Sequence, residues 1–351
     1  MSNNIDNCIW CGSKNLNKFN QPISKYKTTL FFFKYCNNCE IKFAYSSNNK
    51  HKINYDKIQS EHFGYKRHVA DNKWVKSIFN NKNQNFCINE ISNFLISNTM
   101  DQRYVQAVKI ANLAYANKKK LKILEIGCNL GYVGALFIKQ KHNYIGIDIQ
   151  KNAIKEARKN YGNFFYNIAF EDLNKKIKNQ KFDLICSFEV IEHLKNPYEF
   201  IKIIIKNLEP NGEAILSTPN GNYINKNTWH SELPPIHFSL FKEKTFKILK
   251  KNNLKLNFYN KHQFSFNISF IKFLLRNNST QHIPITDPEN SDFIYSYKKI
   301  KHLMIKNFHI IRLTSLINLF FSLILSFFNL APLGGQIFIG IKKSIINKNV
   351  K

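Results

Sequence analysis

The chain has 351 residues, enough to bury a full hydrophobic core with an appendage beside it. Its 52 basic against 23 acidic side chains leave a formal charge of +29, but Lys, Asn, Ile and Phe rise together as in an AT-rich genome, so charge alone selects neither nucleic acid nor an anionic membrane. Seven cysteines in so long a chain exclude a small secreted disulfide scaffold.

The polar start "MSNNIDN" lacks a basic-then-apolar leader pattern, which predicts a protein kept in the reducing cytoplasm. Two CxxC pairs follow, "CIWC" (Cys8, Cys11) and "CNNC" (Cys36, Cys39), with 24 residues between them. Two thiolates gripping from one tight turn, eased by Gly12, and two more from a second turn complete a closed tetrahedral zinc site. The intervening "LFFFKY" reads as a ribbon strand. A small zinc ribbon over residues 1–45, structural and without chemistry of its own, is the expectation. Residues 46–118 read as a helical linker or lid, with helical apolar spacing at Tyr104, Val108, Ala111 and Tyr115.

At 122–134, "KILEIGCNLGYVG", a short apolar run breaks into a glycine-bearing loop and a helix start, the arrangement that turns backbone N–H groups toward a nucleotide. Apolar strands then alternate with helices: "YIGID" (144–148), "FFYNI" (164–168), "FDLICSF" (182–188) and "GEAILSTP" (212–219). That rhythm predicts a doubly wound α/β sheet with its ligand at the carboxyl ends of the strands. A dinucleotide GxGxxG loop from Gly127 would need glycine at 129 and 132, where Asn129 and Tyr132 stand, so a nicotinamide cofactor is excluded. Asn129 keeps the turn feasible because Asn tolerates positive φ better than most residues.

"LEIGCNLG", "GIDI", "FDLICSFEVIEHLKNP", "LEPNGEAILSTPN" and "PPIHFSLFKEKTFKILKKNNL" occur in the order and at the spacing of class I S-adenosylmethionine methyltransferases, which residues 120–260 resemble. The resemblance implies a Rossmann-like seven-stranded sheet over a core at 119–262, closed by an antiparallel last strand, "GQIFIGIKK", within a final segment 335–351. It implies S-adenosylmethionine held by Glu125, Gly127, Asn129, Gly131, Asp148 and Phe188. Asp148, closing the second strand, is placed to accept both ribose hydroxyls. Ala169 stands where the family often has the adenine-contacting acid, so Glu171 or Asp172 takes that place.

In "SFEVIEHL", Glu189, Glu192 and His193 fall at i, i+3 and i+4 and would share one face of a helical turn. Three readings stay open. His193 could be a general base; the trio could hold Mg, Mn or Zn; or Glu192 and His193 could shape the pocket floor through hydrogen bonds. The motif resembles that of ubiquinone-pathway O-methyltransferases and small-RNA 2′-O-methyltransferases, where these residues are associated with a metal. His237, in "PPIHFSLF", is a fourth ligand or second base by the same resemblance.

Residues 313–331 run nineteen positions without a charge, at the lower limit for a membrane span. Ser and Asn recurring at three and four, and the return of the last strand to the same sheet, argue against crossing. The expected alternatives within an apolar insertion at 263–334 are a packed helix or an in-plane helix on the inner face of the membrane. The resulting expectation is an O-methyltransferase acting on a small molecule, a sugar nucleotide or a lipid-linked glycan; the rival acceptor is RNA, bound by the ribbon and the basic surface.

Overall fold

The computed structural model describes residues 6–26, 29–46, 63–97, 103–177, 180–221, 233–252, 254–259 and 336–343. The expected apolar insertion at 263–334, its 313–331 membrane segment and the basic tail beyond 343 lie outside these residues. Among the described residues no helix is long and apolar enough to cross a membrane.

The large sheet has seven strands: β5 (Lys122–Ile126), β6 (Asn143–Asp148), β7 (Phe165–Asn167), β8 (Phe182–Phe188), β9 (Leu208–Pro219), β11 (Leu254–Phe258) and β12 (Gln336–Lys343). Their order across the sheet is β11-β12-β9-β8-β5-β6-β7. The five strands from β9 to β7 are parallel, and β12 pairs antiparallel with both β9 and β11. This is the doubly wound sheet with an antiparallel last strand that the sequence predicts. The order in which strands are added reverses between β5 and β8, so the crevice for a ligand opens at their carboxyl ends.

β8 is buried along almost its whole length, as a parallel strand covered on both faces must be. Its alternate residues serve two apolar layers, Leu184 and Cys186 on one side and Ile185 on the other. One layer is covered by α1 (Phe63–Phe79), α2 (Gln84–Ser97), α3 (Val105–Ala116), α4 (Gly134–Lys139) and α5 (Lys151–Tyr161). α5 buries Ala153, Ile154, Ala157 and Tyr161, one helical stripe. On the other layer lies α7 (Pro197–Asn207), which follows the short α6 (Leu173–Ile177); Pro197 opens α7, where its missing N–H costs nothing, and Phe200, Ile201 and Ile204 are buried.

The N-terminal sheet holds β1 (Leu16–Lys18), β2 (Ser24–Tyr26), β3 (Thr29–Cys36) and β4 (Lys42–Ser46), all antiparallel around β3. Its far edge is closed by β10 (Ser239–Leu240), drawn from beyond the parallel strands. Trp10 anchors the same junction. It is 2% exposed, lies edge-on to Tyr198, Phe241 and Phe246, and donates its indole N–H to the Thr245 carbonyl at 2.7 Å. Glu40 adds ion pairs to Lys242 and Lys244 at the start of α8 (Glu243–Lys247). The small sheet and the core therefore share one buried cluster that runs from Cys8, Cys36 and Cys39 to Phe200 and Phe246.

Trp10→Ala empties this junction. A loss of about 3–5 kcal/mol is expected for deleting a buried Trp, measured as a lower urea midpoint of the whole chain.

Candidate active site

β5 ends in Glu125–Ile126, and the chain turns at Gly127 with φ +80°, a left-handed conformation open to glycine. A Cβ there would lie 2.4 Å from Val190 Cγ2, so the glycine also admits the loop after β8. The amides of Gly127 and Cys128 both donate to the Ile147 carbonyl, at 2.8 and 3.1 Å. Asn129 takes φ +46°, and its amide donates to Asp148 Oδ2 at 2.9 Å; Asp148 Oδ1 accepts from the Gln150 amide at 2.8 Å. Backbone amides from two loops thus fix the Asp148 carboxylate at the end of β6.

Glu125 is 3% exposed, and its Oε2 accepts from the Tyr144 hydroxyl at 2.6 Å. Burial pushes its carboxyl up to about 8, against the pull of that hydrogen bond. Tyr144 can reach it because Gly134 leaves space for the ring; a Cβ there would meet Tyr144 Cζ at 2.4 Å.

These groups line a cleft of about 390 Å³. Of the residues expected to hold the cofactor, Glu125, Gly127, Asn129, Asp148, Glu171 and Phe188 face it. Gly131 instead packs under Phe165 and Ala157. Of the two acids left open after the third strand, Glu171 faces the cleft, whereas Asp172 pairs with Lys175 at 2.6 Å near the surface. Sequence reading missed His68, Arg103, Tyr104 and Tyr132, which close one side. Tyr132 is bonded both to His68 Nδ1, at 2.8 Å, and to the Tyr104 hydroxyl, at 2.7 Å. The Tyr104 ring stands edge-on to Phe188. Tyr104 carried a signal, in the helical apolar spacing, but one that reads as packing; His68 sits in an Asn- and Lys-rich stretch with none.

The other end of the cleft gathers Glu192, His193 and His237, each offering a ligand atom within 4.8 Å of the others. Glu189 is not part of this group. Its φ of +56° places it before the single 3-10 turn Ile191–His193, so the continuous helical face expected for Glu189, Glu192 and His193 does not form. Its carboxylate accepts instead from Ser217 Oγ at 2.8 Å and Gln336 Nε2 at 3.2 Å. His237 enters from the segment leading into β10, its ring 4.7 Å from that of His193. His193 Nδ1 lies 2.7 Å from the Ile236 carbonyl. A carbonyl only accepts, so Nδ1 carries the proton and the neutral ring keeps its lone pair on Nε2. Glu192 is 1% exposed; Oε2 accepts from Thr218 Oγ1 at 3.0 Å, and Oε1 accepts no hydrogen bond among the described residues. Burial first, and the nearby Glu189 carboxylate second, push the Glu192 carboxyl up to about 8.

The four predicted zinc ligands also meet. Cys8 and Cys39 Sγ are 3.6 Å apart, Cys11 and Cys36 Sγ likewise, and all four Sγ atoms lie within 4.8 Å of one another. Gly12, at φ +72°, makes the first turn. The hydrogen bond from Cys39 pushes the Cys8 thiol down to about 5, while Cys39 is raised.

Residues 100–257 match the family described as "Methyltransferase domain". Among curated proteins, the ubiquinone biosynthesis O-methyltransferase of Rickettsia typhi is 34% identical over 113 residues, 31% of this chain and 45% of that one. The protein of the same name from Rickettsia prowazekii is 33% identical over 111 residues, 30% of this chain and 43% of that one. The chain thus spans less than half the length of these relatives. Among solved structures, the plantazolicin methyltransferase BpumL is 16% identical, covering 82% of this chain and 99% of its own, with a TM-score of 0.40.

Glu125 gives the free protein a pH signature. Its folded value of about 8 lies above the ordinary 4.5, so the native state holds the extra proton. Its contribution to stability is full below 4.5 and is lost as pH rises through about 8. Melting temperatures followed across that window should fall less steeply for Glu125→Gln than for the parent.

Proposed function

We propose that this methyltransferase domain transfers a methyl group from S-adenosylmethionine to a hydroxyl oxygen of a small molecule. The observation that carries the reading is one cleft with two chemically different ends. One holds a glycine turn, the fixed Asp148 carboxylate and Glu125; the other holds a buried carboxylate and two imidazoles. The name borne by the curated relatives supports oxygen as the methylated atom.

S-adenosylmethionine, when bound, supplies a methyl group on a sulfonium centre and leaves as a neutral thioether. Asp148 would accept from the ribose hydroxyls, Glu171 would serve the base, and Glu125 and the Gly127 turn would hold the amino-acid portion. The apolar Ile168, Phe170 and Phe188 line the walls and limit water. Nε2 of His193, the lone-pair nitrogen of the neutral tautomer that the Ile236 contact selects, would take the acceptor's hydroxyl proton as that oxygen receives the methyl group, leaving an imidazolium beside the methylated product.

A second reading rests on Glu192 Oε1, a buried carboxylate oxygen without a hydrogen bond among the described residues. Glu192, His193 and His237 suit a divalent cation that prefers mixed carboxylate and imidazole ligands, Mn or Zn more than Mg. It would lower the acceptor hydroxyl's pKa. The four cysteines suit a structural zinc.

Methyl-labelled S-adenosylmethionine, incubated with the protein and a cell extract, should label the water-soluble or lipid-extractable fraction; label in RNA would overturn the acceptor class. Asp148→Ala should weaken S-adenosylhomocysteine binding roughly 10- to 100-fold by calorimetry, the scale of lost hydrogen bonds to a charged group. His193→Ala should lower kcat by about 10²- to 10⁴-fold with that affinity kept. Elemental analysis separates the two readings: two divalent ions per chain falling to one in Glu192→Gln means a bound cation, whereas one in both means the base alone.

A further inference from the structure

The acceptor-end histidine is held in place from outside the large sheet. The residues that carry it, Leu233–Leu240, lie between the loop after β8 and the N-terminal sheet, and both sides bond to their backbone. On the core side, the Phe238 amide donates to the Glu192 carbonyl at 2.8 Å, and His193 Nδ1 donates to the Ile236 carbonyl. On the ribbon side, the Ala44 amide donates to the Phe238 carbonyl at 2.8 Å, and Ser24 Oγ donates to the Pro234 carbonyl. Ser239 and Leu240 pair with Phe43 and Lys42. Phe31 and Phe33 of β3 bury Ile236, Phe238, Leu233 and Leu240. A two-residue strand cannot hold its own position, so its placement depends on the sheet it extends. That sheet in turn is folded about one cysteine turn: β3 ends at Cys36, and β4 begins at Lys42, shortly after Cys39.

We propose that the four-cysteine sheet is a positioning clamp for the acceptor end of the cleft: with zinc bound, it presents β4 as the edge that holds Leu233–Leu240 and so keeps His237 against Glu192 and His193. Trp10, two residues from Cys8, and Glu40, next to Cys39, tie both cysteine turns to the segment that follows β10. The cofactor end needs no such support, because Glu125, Gly127, Asn129 and Asp148 belong to β5, β6 and their own loops. The clamp rests on the methyl-transfer reading for its purpose, but its geometry can be tested without turnover.

The test is hydrogen–deuterium exchange of the full chain before and after chelator dialysis, with zinc measured in each sample. Protection of peptides over 236–241 should fall at least about tenfold on zinc loss while 122–148 stays unchanged, a local rather than global opening. Ala44→Pro removes the donor to Phe238 and spares the cysteines; it should open 236–241 alike with zinc retained. In both samples S-adenosylhomocysteine affinity should hold while kcat falls and the cross-ring NMR contact between His193 and His237 disappears. Unchanged protection of 236–241 after zinc loss, equal loss over 122–148, or purified protein without zinc would each overturn the clamp. Failure of the methyl-transfer reading alone would show as intact exchange behaviour with no labelled product.

Discussion

The peptide groups of Phe238 are hydrogen-bonded on both sides, the amide to Glu192 in the core and the carbonyl to Ala44 in the small sheet. Each bond is worth only about 1 kcal/mol, but leaving either group buried and unpaired costs as much again or more. This shared strip decides where the small sheet sits and where His237 points. The closeness of the two imidazoles goes with it, and the buried Trp10 and the Glu40 ion pairs fasten the same junction beside it. The edge strand joins segments about two hundred residues apart in the chain.

The two ends of the cleft are built on opposite plans. The end with the glycine turn is local: a strand, a turn, a strand end and the amides that flank them, with most contacts spanning one βαβ unit. The end with the two imidazoles is assembled from the loop after β8, strand β9 through Ser217 and Thr218, and the segment before β10. Both ends bury a glutamate whose carboxyl is pushed up to about 8, chiefly by burial. Carboxyls placed so deep lower stability once ionised and are retained where a positive partner or a shuttled proton can make use of them. Glu125 has the Tyr144 hydroxyl for one oxygen, and Glu192 has Thr218.

The two buried layers explain why the large sheet was readable. β8 is a near-continuous apolar run because both its faces are covered, β5 and most of β9 are buried for the same reason, and α5 and α7 keep a helical stripe because only one of their faces is covered. Side-chain pattern and element type coincide wherever burial is uniform along an element. Where the chain leaves regular structure, as at Glu189 with its positive φ, sequence spacing misplaces the side chain: i, i+3 and i+4 share a face only if every residue between them is helical.

By itself the sequence determined the doubly wound sheet, the antiparallel last strand, the glycine turn with Asn129 at positive φ, Asp148 at the strand end and the meeting of the four cysteines. The sheet's strands, the turn, the strand end and the cysteine pairs are set by contacts near in the chain, by short spacings or by the periodicity of burial, whereas the antiparallel last strand, which pairs with strands distant in the chain, was legible only through the family resemblance. Only the tertiary structure decided that Glu171 rather than Asp172 faces the cleft, that Gly131 packs under Phe165, and that His237 rather than Glu189 joins Glu192 and His193. It alone placed His68 and Tyr104 on the wall, and seated β10 on the ribbon's edge. Most of those outcomes turn on which distant segment comes to lie against a residue, and no local pattern in the chain records that.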